Sequence, residues 1–159
     1  MTVYSNSARC LILACGNTQR SDDGVGPRLA EWAEERFQTH DNVRVVARQQ
    51  WTPELAEEIA AAESVLFIDS SIESVPGHVG LIPVEPRENN NGSATHHLDA
   101  NALMGLAREL YGSRSTHSML LTVGAGSTEL GESLSDPVEA ALPRARGVLE
   151  KVVLRFLEN

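Results

Sequence analysis

Short apolar runs alternate with amphipathic, helix-spaced stretches along the whole chain, and this alternation constrains the fold more than any other feature. The runs are Arg9 to Ala14, Asn42 to Arg48, Ser64 to Ile68, Val79 to Val84 and Ser118 to Val123. The first is apolar without interruption from Cys10, the pattern of a strand covered on both faces. Between the runs, Val25, Leu29, Trp32, Ala33 and Phe37 recur at i+3 or i+4 spacing, with Glu31, Glu34, Glu35 and Arg36 outside. Gly26 to Phe37 therefore reads as a helix. Thr52 caps a second helix, Pro53 takes its first turn, and it runs to about Ala62. Leu98 to Leu110 is a third. Ser135-Asp136-Pro137 opens the last, which runs toward Leu157 with Pro143 as a kink or break. Val79 to Val84 carries Pro83, which suits a sheet edge, where a strand can also run antiparallel. The expectation is an α/β protein: a three-layer α/β/α sandwich around a mostly parallel five-stranded sheet, forming one domain over residues 1–159. Right-handed crossovers then bring the ends of the first and third strands to the same edge of the sheet.

A chain of 159 residues suits one domain with a real core. Its formal net charge of −9 argues against nucleic acid and against an anionic membrane surface. The two cysteines, Cys10 and Cys15, sit at odd spacing on or beside one strand, which sends them to opposite faces. At about 3.3 Å per residue they are roughly 16 Å apart, beyond the roughly 7 Å Cα limit of a disulfide. Buried free thiols in a reducing compartment are the expectation. Residues 1–8 read as a polar, frayed start, with no secretion signal and no run of transmembrane length. Asn91-Gly92-Ser93 spells a glycosylation acceptor that means nothing without secretion.

The stretch from Leu11 to Pro27 reads as strand, polar loop, helix, with Asp22 and Asp23 near the end of the loop. Loops leaving the carboxyl ends of strands carry the site in open α/β sheets. Asp-Asp-Gly is equally a turn and a helix start, since Asp caps free N–H groups. Gly16, Gly24 and Gly26 do not form G-x-G-x-x-G, no Gly-Lys-Ser/Thr follows, and Asp22 and Asp23 would repel a phosphate, so a nucleotide site is disfavoured. No G-x-S-x-G elbow exists; Ser70 and Ser71 follow a strand, but Asp69 in front of them is the more notable group, unless it is a plain turn residue. His96 and His97 follow an Asn-rich loop, Glu85 to Ala94, at the start of the third helix. Two carboxylates and an imidazole arriving from three places suit a divalent ion with open positions, although this spacing is not diagnostic. His40, His78 and His117 lack such company and read as surface or loop residues.

These residues carry a resemblance. Gly16-Asn17, Asp22-Asp23-Gly24-Val25-Gly26, the strand ending at Asp69, Thr95-His96-His97-Leu98, Leu120-Leu121-Thr122-Val123-Gly124 and Leu134-Ser135 together resemble the hydrogenase maturation endopeptidases. So does the connection Gln49-Gln50-Trp51-Thr52-Pro53-Glu54-Leu55. The likeness covers nearly the whole chain in order, and the Gly-Asn to Asp-Asp-Gly spacing is its most specific part. It implies a cytoplasmic α/β/α peptidase, leaning to a monomer, that clips a C-terminal extension from the precursor of a nickel–iron hydrogenase large subunit after nickel insertion. The metal ligands, which are also the catalytic set, fall on Asp23, Asp69 and His96. Asn17, Asp22 and His97 are neighbours in the roles of substrate contact or support. The usual Gly-x-Gly-Asn is Ala14-Cys15-Gly16-Asn17 here, which questions the backbone approach after the first strand.

On this reading nickel is no resident cofactor but arrives seated in the substrate, and docking completes a half-empty ligand set. The ion polarises the scissile carbonyl or activates a water, with Asp23 or Asp22 as general base. The loop from Glu85 to Ala94 either folds over the extension or is a solvated linker. Two alternatives remain: a nickel-dependent chaperone that grips the precursor without cutting it, and a metallohydrolase of small molecules.

Overall fold

The computed structural model describes residues 8–88, 98–113, 115 and 117–158. The expected start of the chain before residue 8, most of the Glu85 to Ala94 loop, and both His96 and His97 lie outside the described residues.

Five strands form one sheet: β1 (Cys10–Cys15), β2 (Val43–Arg48), β3 (Ser64–Ser71), β4 (Val79–Pro83) and β5 (His117–Gly124), in the order β2-β1-β3-β5-β4. All neighbours are parallel except β4, which pairs antiparallel with β5 at the edge, where Pro83 cannot spoil an inner ladder. The helices are α1 (Val25–Arg36), α2 (Leu55–Ala60), α3 (Ala100–Tyr111) and α4 (Asp136–Glu158). The expected α/β sandwich, with a mostly parallel five-stranded sheet, is what the chain forms.

Alternation along β1 divides the core. Cys10, Ile12 and Ala14 face α1 and α4, packing on Leu29, Val138, Leu149 and Val153. Leu11 and Leu13 face α2 and α3, packing on Ile59, Phe67 and Leu103. Cys10 is buried on the first side and Cys15 packs on the second, and both thiols are free, as their spacing requires.

Pro143 does not break α4, which runs through it for 23 residues. Val138, Ala141, Leu142, Ala145, Leu149, Val153 and Phe156 form one continuous buried stripe, while Pro143 is exposed. The missing hydrogen bond thus falls on the solvent side, where helical bonds are already longest, and the buried stripe carries the helix across it. Three boundaries also move. α2 spans only Leu55–Ala60, with Glu54 rather than Thr52 at its N-cap and no side-chain cap bond. β3 continues past Ile68, so Asp69 lies within the strand, and Asp99 caps α3 by accepting from the Ala102 amide at 2.8 Å, so the helix begins at Ala100. Among the described residues no helix is long and apolar enough to cross a membrane.

β1 leads through α1 to β2 on one side, whereas β3 lies on its other side. The carboxyl ends of β1 and β3 therefore flank the point where the winding reverses, which is where such sheets open a crevice.

Candidate active site

The loop after β1 is built to turn sharply. Gly16 continues the ladder by donating to the Arg48 carbonyl at 3.0 Å, then takes a φ of +150°. A Cβ there would lie 2.0 Å from the Asp23 carbonyl oxygen, so only glycine lets the strand end meet the turn. Gly26 plays the matching part on α1, where a Cβ would lie 2.4 Å from the Cys15 carbonyl oxygen. The close backbone approach that Ala14 placed in question is thus made at Gly16 and Gly26, and Ala14 is simply buried in the core. Asn17 organises the loop. Its side-chain oxygen accepts from the Gln19 amide at 2.9 Å, and its own amide donates to Asp23 Oδ2 at 2.8 Å.

Asp22 and Asp23 lie in a single 3-10 turn, Ser21–Gly24. With three residues per turn, adjacent side chains point about 120° apart. Asp23 faces the crevice. Its Oδ1 accepts from the Ser70 hydroxyl at 3.1 Å, and the Ser70 amide donates to Asp69 Oδ1 at 2.8 Å, so Ser70 bridges the two carboxylates. Burial pushes the Asp69 carboxyl up to about 7; the Ser70 amide opposes this and the Asp23 charge adds to it.

Asp22 turns the other way and is wholly buried. Its Oδ2 accepts from the amides of Gly126 (2.7 Å) and Ser127 (3.0 Å) and from the Ser135 hydroxyl (2.7 Å), and its Oδ1 from the Ser135 amide (2.7 Å). Burial alone would raise its pKa, but the Ser135 hydroxyl and amide, with the amides of Ser127 and Gly126, hold it below the usual carboxylate range. Asp22 is therefore a structural anchor turned away from the cleft that Asp23 lines.

Asp23 and Asp69 open onto a cleft of about 350 Å³, whose walls also include Cys15, Asn17, Arg20, Trp51, Leu98 and Asp99. Trp51 is buried edge-on against Phe67 at 5.2 Å and forms part of the wall. Burial, reinforced by Asp69, pushes the Cys15 thiol up to about 12 despite the opposing Trp51 backbone contact, so it stays protonated and is no nucleophile. Asp99 is engaged as the α3 cap and in an ion pair with Arg87 at 2.8 Å. Among the described residues no group of three or more His, Cys, Asp or Glu side chains is arranged to hold a metal. Asp23 and Asp69 supply two hard oxygen donors, and the third expected ligand, His96, lies outside the described residues, as does His97.

Ser70, Arg20 and Cys15 were not singled out as site residues from the sequence. Ser70 carried a signal, since it directly follows an acid at the end of a strand. Arg20 carries only its place in the loop after β1, and Cys15 only its place at the end of that strand.

The fold is similar to that of solved hydrogenase maturation proteases. No family model matches the chain, and no curated protein matches it by sequence. Solved structures do. The hydrogenase 2 maturation peptidase of a Thaumarchaeota archaeon superimposes with a TM-score of 0.67 at 25% identity, over 91% of this chain and 97% of that one. The NiFe hydrogenase maturation protease HybD of Thermococcus kodakarensis gives 0.67 and 25%, over 91% and 98%. HybD of E. coli, a hydrogenase maturating endopeptidase, gives 0.65 and 22%, over 94% and 93%, a likeness of fold. The resemblance read from the sequence is thus matched by structural neighbours over nearly the full length of both chains.

Proposed function

We propose that this chain is an endopeptidase that removes the C-terminal extension of a nickel–iron hydrogenase large-subunit precursor after nickel insertion, with the substrate-bound nickel as the recognition element. The observation that carries this reading is the Asp23–Asp69 pair, bridged by Ser70 at the mouth of an open cleft, in a fold whose neighbours are named maturation peptidases. Two half-buried carboxylates facing one cleft are poised for a cation. Its arrival would expel the proton that Asp69 holds near neutrality, because ligands bind metal in their deprotonated form. Leu98, two residues after His96, lines the same cleft, which supports His96 as the third ligand. With nickel supplied by the precursor, only a loaded substrate completes the shell, and the ion then polarises the scissile carbonyl or activates water while Asp23 manages the proton. Asn17 serves as support, holding Asp23 through its amide. The reading carries with it a cytoplasmic monomer whose partner is the precursor.

The test is to incubate the purified protein with nickel-loaded and nickel-free precursor and weigh the products. Release of a peptide from the loaded precursor alone is expected. Equal cleavage of both refutes recognition through nickel. A loaded precursor that is bound but keeps its mass points to a chaperone, and tight metal in the protein before any partner is added points to a small-molecule metallohydrolase.

A further inference from the structure

Asp22 and Asp23 share a peptide plane but no partners. The Asp23 carboxylate is held by the Asn17 amide at 2.8 Å and by the Ser70 hydroxyl at 3.1 Å, while its own amide closes the turn on the Arg20 carbonyl at 3.0 Å. The backbone of the turn is tied to the rest of the protein on its far side. Ser21 donates from its amide to the Gly131 carbonyl at 2.7 Å and from its hydroxyl to the Glu129 carbonyl at 2.8 Å. The Asp22 amide donates to the Ser127 carbonyl at 2.9 Å, and the Asp22 carboxylate gathers four donors from Gly126, Ser127 and Ser135. Ser21 has a φ of +50°, the one non-glycine residue in that region among those described. Such a conformation persists only where its surroundings over-determine it.

We propose that Asp22 is a positioning residue: by mooring the Ser21–Gly24 turn to the 126–135 segment, it aims the Asp23 carboxylate at Asp69. The inference rests on Asp23 acting in the site as read above. Loosening Asp22 frees Ser21 to leave its strained φ. The turn then rotates, and the rigid peptide between residues 22 and 23 carries Asp23 with it. The Asn17 amide, bonded to Asp23 Oδ2 and to nothing in the 126–135 segment, is a natural reporter of that rotation.

Asp22→Asn is nearly isosteric. Its oxygen can serve the three donors now on Oδ2, while its amide nitrogen would face the Ser135 N–H, donor against donor. Amide hydrogen exchange followed by NMR should show faster exchange at Gly126, Ser127 and Ser135, and also at Asn17, by about tenfold or more. Faster exchange at the three loop amides with Asn17 at its wild-type rate overturns the proposal and leaves Asp22 a loop anchor only. If Asp22→Asn does not fold, Ser135→Ala removes one of the four bonds, and the same comparison at Gly126, Ser127 and Asn17 decides. With precursor as substrate, kcat of Asp22→Asn should fall about tenfold with KM within about twofold, below its melting range. Val153→Ala, remote in the core, should lower the melting temperature and leave kcat alone. Wild-type turnover by Asp22→Asn also overturns the proposal. A wild-type protein that releases no peptide refutes the peptidase reading instead, and the exchange rates still decide the mooring.

Discussion

Gly16→Ala tests the geometry of the site most directly. The added methyl would stand 2.0 Å from the Asp23 carbonyl oxygen and 3.0 Å from Pro27 Cδ, at a φ of +150° that an alanine rarely adopts. Ordinary contact begins near 3.4 Å, so the strand end and the turn must part by 3.4 − 2.0 = 1.4 Å. Neither side yields easily, since Ala14 lies in the sheet core and the turn runs directly into buried Val25 of α1. Overpacking of this kind costs about 1–3 kcal/mol, and the forced positive φ adds about 1–2 kcal/mol. A loss of about 2–5 kcal/mol is expected, or a melting temperature lower by roughly 5–15 °C for a domain of this size. The displacement also draws Asp23 from the Asn17 amide and from Ser70. A misplacement of about 1 Å can cost about a hundredfold in rate, so peptide release should fall by that order at temperatures where the variant is folded. Urea unfolding gives the stability and mass spectrometry of released peptide gives the rate. A Gly16→Ala protein within about 0.5 kcal/mol of wild type and fully active would refute the close approach and the site built upon it.

Three further outcomes follow from the same geometry. Asp69→Asn should abolish peptide release. Because burial raises the Asp69 pKa to about 7, its ionisation opposes folding as pH rises from 3.8 toward 7, so metal-free Asp69→Asn should gain in melting temperature relative to wild type across that window and then level off. Asp22→Ala leaves the amides of Gly126, Ser127 and Ser135 without their acceptor and should cost about 1–3 kcal/mol for each donor left buried and unpaired at pH 7. The folded-state pKa is lowered here, so the stabilisation is present above 3.8 and the gap from wild type, measured by urea unfolding, should close as pH falls through the folded value. Cys10 is wholly buried, and burial lifts its thiol from 9.0 to about 12. Its contribution is therefore intact below pH 9 and is lost as pH rises toward 12, at up to about 1.4 kcal/mol per pH unit. Urea midpoints between pH 8 and 11 should fall more steeply for wild type than for Cys10→Ala.

Much of this architecture was legible because its causes are local. Continuous apolar runs such as Leu11–Ala14 and Val65–Ile68 suit inner parallel strands, and Pro83 suits the edge strand by its missing N–H. The handedness of crossovers then places Asp23 and Asp69 together without any knowledge of side chains. Pro143 does not break α4 because the rule against proline inside helices is local, whereas the stripe from Val138 to Phe156 that carries the helix past it is tertiary. Ser70 was passed over for a similar reason. A serine after an acid is an ordinary strand end until the other acid is known to lie within reach of its hydroxyl.

The two adjacent aspartates mark where sequence reasoning stops. As letters Asp22 and Asp23 are interchangeable, and the short-range rules on caps, turns and dipoles treat them alike. What separates them is a set of donors 104 to 113 residues further along the chain. Those donors meet Asp22 because Ala125 is tied to the Ser71 carbonyl at the end of β3 and Ser135 adjoins the start of α4. The sheet therefore does two jobs at one edge. Adjacent β1 and β3 bring the acids of the site together, and adjacent β3 and β5 deliver the segment that anchors the turn between β1 and α1. A change on either pair should reach Asp23, from Asp69 and Ser70 on one side and from Asp22 on the other. An acidic dipeptide split in this way, one carboxylate saturated by donors from a distant segment and one left to the cleft, gives a rigid mount to the acid that faces Asp69.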